Sequence, residues 1–200
     1  MEEGQTRRRK PRSDGQKNRE ALLQTAKAAF GAGEVDIPLD TIARRSGVGI
    51  GTLYRHFANR DALIEAVYRD ELNRLALAAT QLARTAPPVE ALRAWLKLFV
   101  DYIATKQLIA PALNSLVGGT GVLYADSRTV LQTTINDLVA KAARNGRFRP
   151  DLEPTDLLCA LAGVSNYATG PGWEVSAKRL VDILIAGAQA ETETETETEG

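Results

Sequence analysis

Apolar side chains recur three and four positions apart along most of the 200-residue chain, the spacing that gathers them on one side of a helix. Leu22, Leu23, Ala26, Ala29 and Phe30 form the first such stripe and predict a helix over residues 16–30, ended by Gly31 and Gly33. Two short stripes follow. Ile42 and Ala43 lie on one, Leu53 and Phe57 on the other, with Val48 between, so helices over 39–46 and 50–57 would share one small core. Gly47 falls at the break, where a glycine can take the left-handed backbone that ends one helix and turns sharply into the next.

The longest pattern comes next. Leu63, Ile64, Val67, Tyr68, Leu72, Leu75 and Leu82 predict one helix from about Arg60 to Thr85, with Asn59 capping its start and Asp61 in its first turn against the positive end of the dipole. Pro87 and Pro88 interrupt it. A fifth helix to about Lys106 carries Leu92, Trp95, Leu96, Phe99, Tyr102 and Ile103, and a shorter sixth containing Pro111 leads to Gly118-Gly119-Thr120-Gly121. Val130, Leu131, Ile135, Leu138 and Val139 mark a seventh over 126–145, stopped at Asn145-Gly146. Pro154 opens an eighth with Leu157, Leu158, Leu161 and Val164, and after Gly170-Pro171-Gly172 a ninth carries Val175, Leu180, Val181, Leu184 and Ile185. No period-two alternation appears, so the expected fold is all-α with about nine helices: a helix-turn-helix domain over 16–60 and a larger helical domain over 61–188.

The two ends lack periodicity. Residues 1–15, MEEGQTRRRKPRSDG, read as a flexible basic arm whose Arg7, Arg8, Arg9, Lys10 and Arg12 either add DNA contacts or only solubilise the chain. Residues 189–200, ending in ETETETETEG, read as an acidic low-complexity tail. Charge is balanced over the whole chain but not along it. Residues 1–60 hold 12 Lys or Arg against 7 Asp or Glu, a net of +5, and residues 61–200 hold 13 against 18, a net of −5. One end is thereby suited to a polyanion.

Other classes of function find little support. The single Cys159 excludes an internal disulfide and fits a reducing cytoplasm, and the single His56 argues against a multi-histidine metal site. No run is apolar enough for a membrane span, and the N-terminus has no signal-peptide core, so a soluble cytoplasmic protein is expected. The glycine run at 118–121 has no preceding strand and no following Lys-Ser/Thr pair, which removes a phosphate-loop reading. No nucleophile with a base and an orienting partner is recognisable; neither an enzyme nor a cofactor or metal is expected.

The outward side of the 50–57 helix carries Thr52, Tyr54, Arg55 and His56, hydroxyls, an aromatic and cations suited to phosphate oxygens and base edges. Residues 42–63, IARRSGVGIGTLYRHFANRDAL, resemble the DNA-binding signature of TetR-family transcriptional regulators, and the likeness extends over roughly 18–68. The resemblance implies that Tyr54 and His56 touch phosphates, that Thr52 and Arg55 reach into the major groove, and that Arg60 meets the DNA backbone. His56 packed against the turn is the competing reading. Gly51, Thr41 and Arg44 complete the expected contact set. Two positions depart from the family pattern. Pro38 opens the second helix and cannot donate to a phosphate, and Gly49 and Ile50 stand where a serine and a basic residue are common; Ile50 can instead lie against a thymine methyl.

The same resemblance implies a homodimer on double-stranded operator DNA, most often a repressor, with its two recognition helices about one turn of DNA (~34 Å) apart. The long fourth helix and the aromatic fifth further suggest a small-molecule effector bound between helices 4 to 7, able to shift helix 4. Trp95, Phe99 and Tyr102 either fill the core or line a ligand cavity, to which Asn114, Leu131, Arg128 and Asn166 would add contacts. Leu157, Leu161, Leu180 and Leu184 on the last two helices are the candidate dimer surface. Two alternatives remain: a DNA-binding regulator without a ligand, its interior solidly filled, or a helical binding module with an incidental helix-turn-helix and no salt-dependent affinity for DNA.

Overall fold

The computed structural model describes residues 11–144, 148, 153–167, 170 and 172–189. Among them are eight helices: α1 (Pro11–Gly31), α2 (Leu39–Arg45), α3 (Ile50–His56), α4 (Arg60–Thr85), α5 (Pro88–Asn114), α6 (Gly121–Ala143), α7 (Pro154–Tyr167) and α8 (Trp173–Ala188). The described residues contain no strand; one isolated antiparallel bridge joins Phe148 to Gln189. No described helix is long and apolar enough to cross a membrane. The chain is all-α, with eight helices among the described residues where about nine are expected.

The difference lies in α5. The expected break after Lys106 does not occur, and Pro111 sits inside the helix near its end. A proline removes one ladder hydrogen bond and crowds the carbonyl four residues back. Here that loss is tolerated, because Ile109, Ala112 and Leu113 are buried on the same side and hold the final turns in place. Helix α6 likewise starts at Gly121 rather than at 126, with Leu123 buried in its first turn. Helix α1 starts at Pro11, ahead of residue 16, using a proline where its missing N–H would be unpaired anyway. The basic residues Arg7, Arg8, Arg9 and Lys10, the Arg12 side chain, the Asn145-Gly146 stop and the acidic repeat lie outside the described residues.

Two compact units divide the chain: Met1–Asp70 with Leu108–Thr120, and Glu71–Gln107 with Gly121–Gly200. The division falls within α4 and α5 rather than in a linker. In the first unit Leu22, Phe30, Ile42, Leu53, Leu63 and Ile64 are fully buried and form the core beneath the helix-turn-helix. Residues 108–120 belong to it through buried Ile109, Leu113 and Leu116, and through the Val117 N–H donating to the Asp61 carboxylate at 3.0 Å. In the second unit Leu92, Trp95 and Leu96 of α5, Ile135 of α6, Leu161 of α7 and Val181 and Ile185 of α8 are fully buried. Ion pairs tie α5 to α8 along its outer edge: Arg93 and Lys97 to Asp182 at 3.0 and 2.9 Å, and Lys178 to Asp101.

Candidate nucleic-acid interface

Two glycines shape the first unit. Helix α1 ends in Gly33 at φ 83°, with Glu34 N–H donating to Ala29 O and Gly33 N–H to Phe30 O. Helix α2 ends the same way. Gly47 adopts φ 69°, its N–H donates to Arg44 O, and Val48 N–H donates to Ala43 O at 3.0 Å. This pair of backward bonds satisfies carbonyls that a helix end leaves open, and the buried Val48 pins the turn to the core. Ile42 and Ala43 from α2 and Leu53 and Phe57 around α3 are all buried, so the rotation of α3 is fixed by what it buries. The chain leaves α3 at Phe57, and the Asn59 side-chain oxygen accepts from Ala62 N–H at 2.9 Å, capping α4.

With Leu53 directed inward, the opposite side of α3 is a polar ridge. Tyr54 is 53 % exposed and Ile50 43 %; Arg55 and Gly51 are exposed and Thr52 half-exposed. His56 is half-buried with its ring 6.1 Å from that of Phe57, so it both packs against the turn and keeps an edge in solvent. The Arg19 guanidinium lies 5.6 Å over the Phe57 ring and brings a cation from α1 to the same end of α3. That contact joins residues far apart in sequence, and no local pattern announced it. On α2, Thr41 is half-exposed with its N–H held by the Asp40 carboxylate at 2.7 Å. Arg44 is exposed, whereas its neighbour Arg45 is paired with Glu34 at 2.7 Å. That hydrogen bond holds the Glu34 carboxyl below its ordinary range and raises Arg45. Of the two arginines, only Arg45 is held by an ion pair within the described residues.

Arg60 departs from expectation. Its Nη1 donates to the Ile37 carbonyl at 2.6 Å, its guanidinium lies 5.7 Å over the Phe30 ring, and its Nη2 is buried without a partner among the described residues. The side chain braces α4 against the loop before α2, and this use competes with a contact to DNA. Pro38 precedes α2, and its carbonyl accepts from Thr41 and Ile42 N–H. The proline therefore starts the helix through its acceptor alone.

The second unit corrects the expected ligand and dimer residues. Trp95, Phe99 and Tyr102 are buried and stacked in a column, with centroid spacings of 5.9 and 6.1 Å. The indole N–H of Trp95 donates to the Leu75 carbonyl at 3.0 Å, the partner a buried indole needs. They fill core. Leu131 is half-buried, while Asn166 and Arg128 are exposed, and Asn114 is exposed in the first unit. Leu157 and Leu161 are buried within their own unit and cannot form a dimer surface; the apolar stripe of α7 is consumed by packing inside the chain. Leu180 and Leu184 are half-buried, and beside them Ile183 is exposed, as are Val175 and Tyr167.

A cavity of about 240 Å³ opens elsewhere in this unit, lined by Ala83, Pro88, Ala91, Leu138, Lys141 and Arg144. Farther along α5, the half-buried ammonium of Lys106 sits 4.0 Å from the Tyr124 ring centroid, and burial pushes its pKa down. Neither feature was visible in the sequence, because each joins helix faces that only the fold brings together.

Comparison with known proteins agrees with this geometry. Residues 22–67 match the bacterial regulatory proteins of the tetR family, and residues 87–190 match the C-terminal domain of SbtR-like transcriptional regulators. The fold is similar to the TetR transcriptional regulator SCO0520 from Streptomyces coelicolor, with 40% identity, 87% of this chain and 99% of that chain covered, and a TM-score of 0.77. It is also similar to the TetR transcription regulatory protein from Mycobacterium vanbaalenii, with 31% identity, 90% and 99% covered, and a TM-score of 0.71. The HTH-type transcriptional regulator SAR0097 of Staphylococcus aureus (strain MRSA252) is 39% identical over 70 residues, 34% of this chain and 36% of that protein, so the chain matches about a third of that curated relative's length. Both parts of the chain and the fold that contains them agree: the protein belongs to the TetR family of bacterial transcriptional regulators.

Proposed function

We propose that this regulator acts as a homodimeric repressor that binds a two-fold operator through α3 and is released by a small amphipathic effector. The observation that carries the proposal is the division of α3 into a buried side, Leu53, and an exposed side, Tyr54 and Arg55 with half-exposed Thr52, on a turn whose backbone is fixed by Gly47. Tyr54, His56 and Arg44 would hold phosphates, and Thr52 and Arg55 would read base edges. Exposed Ile183, flanked by half-buried Leu180 and Leu184 on α8, supports pairing of two copies through that helix.

The aromatic column is packed, which favours the ligand-free alternative over an effector seated among Trp95, Phe99 and Tyr102. The cavity beside Ala83 and Leu138 offers another seat, lined by these two, Pro88 and Ala91 and by Lys141 and Arg144, both unpaired among the described residues. A small carboxylate with a hydrocarbon body would suit it. Such a ligand releases DNA only to the extent that it binds the DNA-incompetent arrangement more tightly. Gel shifts with the full chain test the core of the proposal: affinity for a selected duplex should fall with salt at a log–log slope of about −0.9 per neutralised phosphate. A salt-independent or absent shift refutes it.

A further inference from the structure

The sequence Gly47-Val48-Gly49-Ile50-Gly51 contains three glycines, and the fold accounts for only one of them. Gly47 needs its glycine for φ 69°. Gly49 has φ −64° and ψ 141°, open to any residue, and Gly51 lies within α3 without a positive φ. A Cβ built on either would meet nothing within 4 Å. Inside the protein both are therefore inferior choices: a serine or aspartate at 49 would cap α3, which has no side-chain cap, and an alanine at 51 would favour the helix. Between them Ile50, 43 % exposed, is a large apolar side chain on an otherwise polar ridge. Bare backbone on both sides of one exposed hydrocarbon is what a surface needs when a partner must come close on either side of a single knob.

We infer that Ile50 is a specificity-determining residue that seats on the C5-methyl group of a thymine in the major groove, with Gly49 and Gly51 clearing its approach. This rests on the operator-binding reading above and names the base that this part of α3 selects. The thymine methyl is the apolar group on the major-groove edges of the base pairs, and isoleucine has no polar atom with which to read any other feature there.

The test uses the full chain and duplexes it selects from a random pool. Each thymine of a selected duplex is replaced in turn by deoxyuridine, which removes only the methyl. At one position per half-site the replacement should weaken binding about fourfold, the ratio that one buried methyl yields. Ile50→Ala should weaken binding to the thymine duplex and bind both versions equally. Gly51→Ala should raise the melting temperature by about 4 °C and yet weaken binding to every duplex. Deoxyuridine without effect at every thymine, or a sensitivity that survives Ile50→Ala, overturns the thymine assignment while leaving DNA binding intact. Undiminished binding by Gly51→Ala overturns the clearance. Retention of no duplex at all removes the operator-binding reading and this inference together.

Discussion

Leu53 and Tyr54 are neighbours in sequence and opposites in environment: one is fully buried under α3 and the other is 53 % exposed on its far side. That contrast was legible from spacing alone, because Ile42, Ala43 and Leu53 could share a core in only one rotation of the two short helices. The roles proposed for the outward side chains differ in what each side chain can offer DNA. Tyr54 and His56 offer single donors suited to phosphate, so Tyr54→Ala or His56→Ala should weaken binding to all duplexes to a similar degree. Arg55 can grip two acceptors of one guanine, so Arg55→Ala should cost about 1–3 kcal/mol on the preferred sequence and also flatten the preference among sequences. Competition gel shifts against a mutated operator separate the outcomes, and equal loss of discrimination from all three variants contradicts the assignment. The family resemblance assigns Arg60 to the DNA backbone, and the fold adds what no local pattern shows, the Ile37 carbonyl and the Phe30 ring that hold its guanidinium.

At the scale of elements, glycine stops and hydrophobic periods located α2, α3 and α4 closely, because each end carries its own local chemistry. Gly47→Ala would force a Cβ into the left-handed region and should destabilise the first unit by about 1–2 kcal/mol, read as a lower denaturation midpoint with weaker DNA binding in proportion. The single long α5 was not legible. A break is expected after Lys106, with Pro111 in a separate short helix, and the buried Ile109, Ala112 and Leu113 that keep the helix continuous belong to the first unit, with parts of the chain distant in sequence. The same holds for Asp182, one acidic residue among many in sequence, which bridges α8 to Arg93 and Lys97 of α5. The hydrogen bonds from Lys97 and Arg93 hold its carboxyl below the ordinary range. A group depressed in the folded state adds stability above its unfolded pKa of about 4, and loses it as the pH falls through the lower folded value. Asp182→Asn should therefore lower stability at pH 7 and flatten its decline below about pH 4; an unchanged acid profile would show that the pairs contribute nothing.

For the whole molecule, the charge asymmetry sets the geometry of action. Residues 1–60 carry a net +5 and residues 61–200 a net −5, so the basic end is drawn to the polyanion while the remainder is not. A seven-residue recognition helix reaches few base pairs, and one copy of α3 is a weak reader of any operator. Pairing two copies makes the second contact intramolecular, with a gain in avidity of about 10²–10⁴ that needs no new side chain at the DNA. The surface proposed for this pairing is α8, on which Ile183 is exposed. Ile183→Glu places a carboxylate on each side of a two-fold contact, where like charges oppose each other and both lose solvent. In light scattering the variant should run as a monomer of 21.6 kDa while the parent runs at about twice that mass. Its affinity for a full operator should fall at least about a hundredfold, and its affinity for a single half-site should not change. A variant that stays dimeric, or that loses half-site binding equally, places the pairing surface elsewhere than α8.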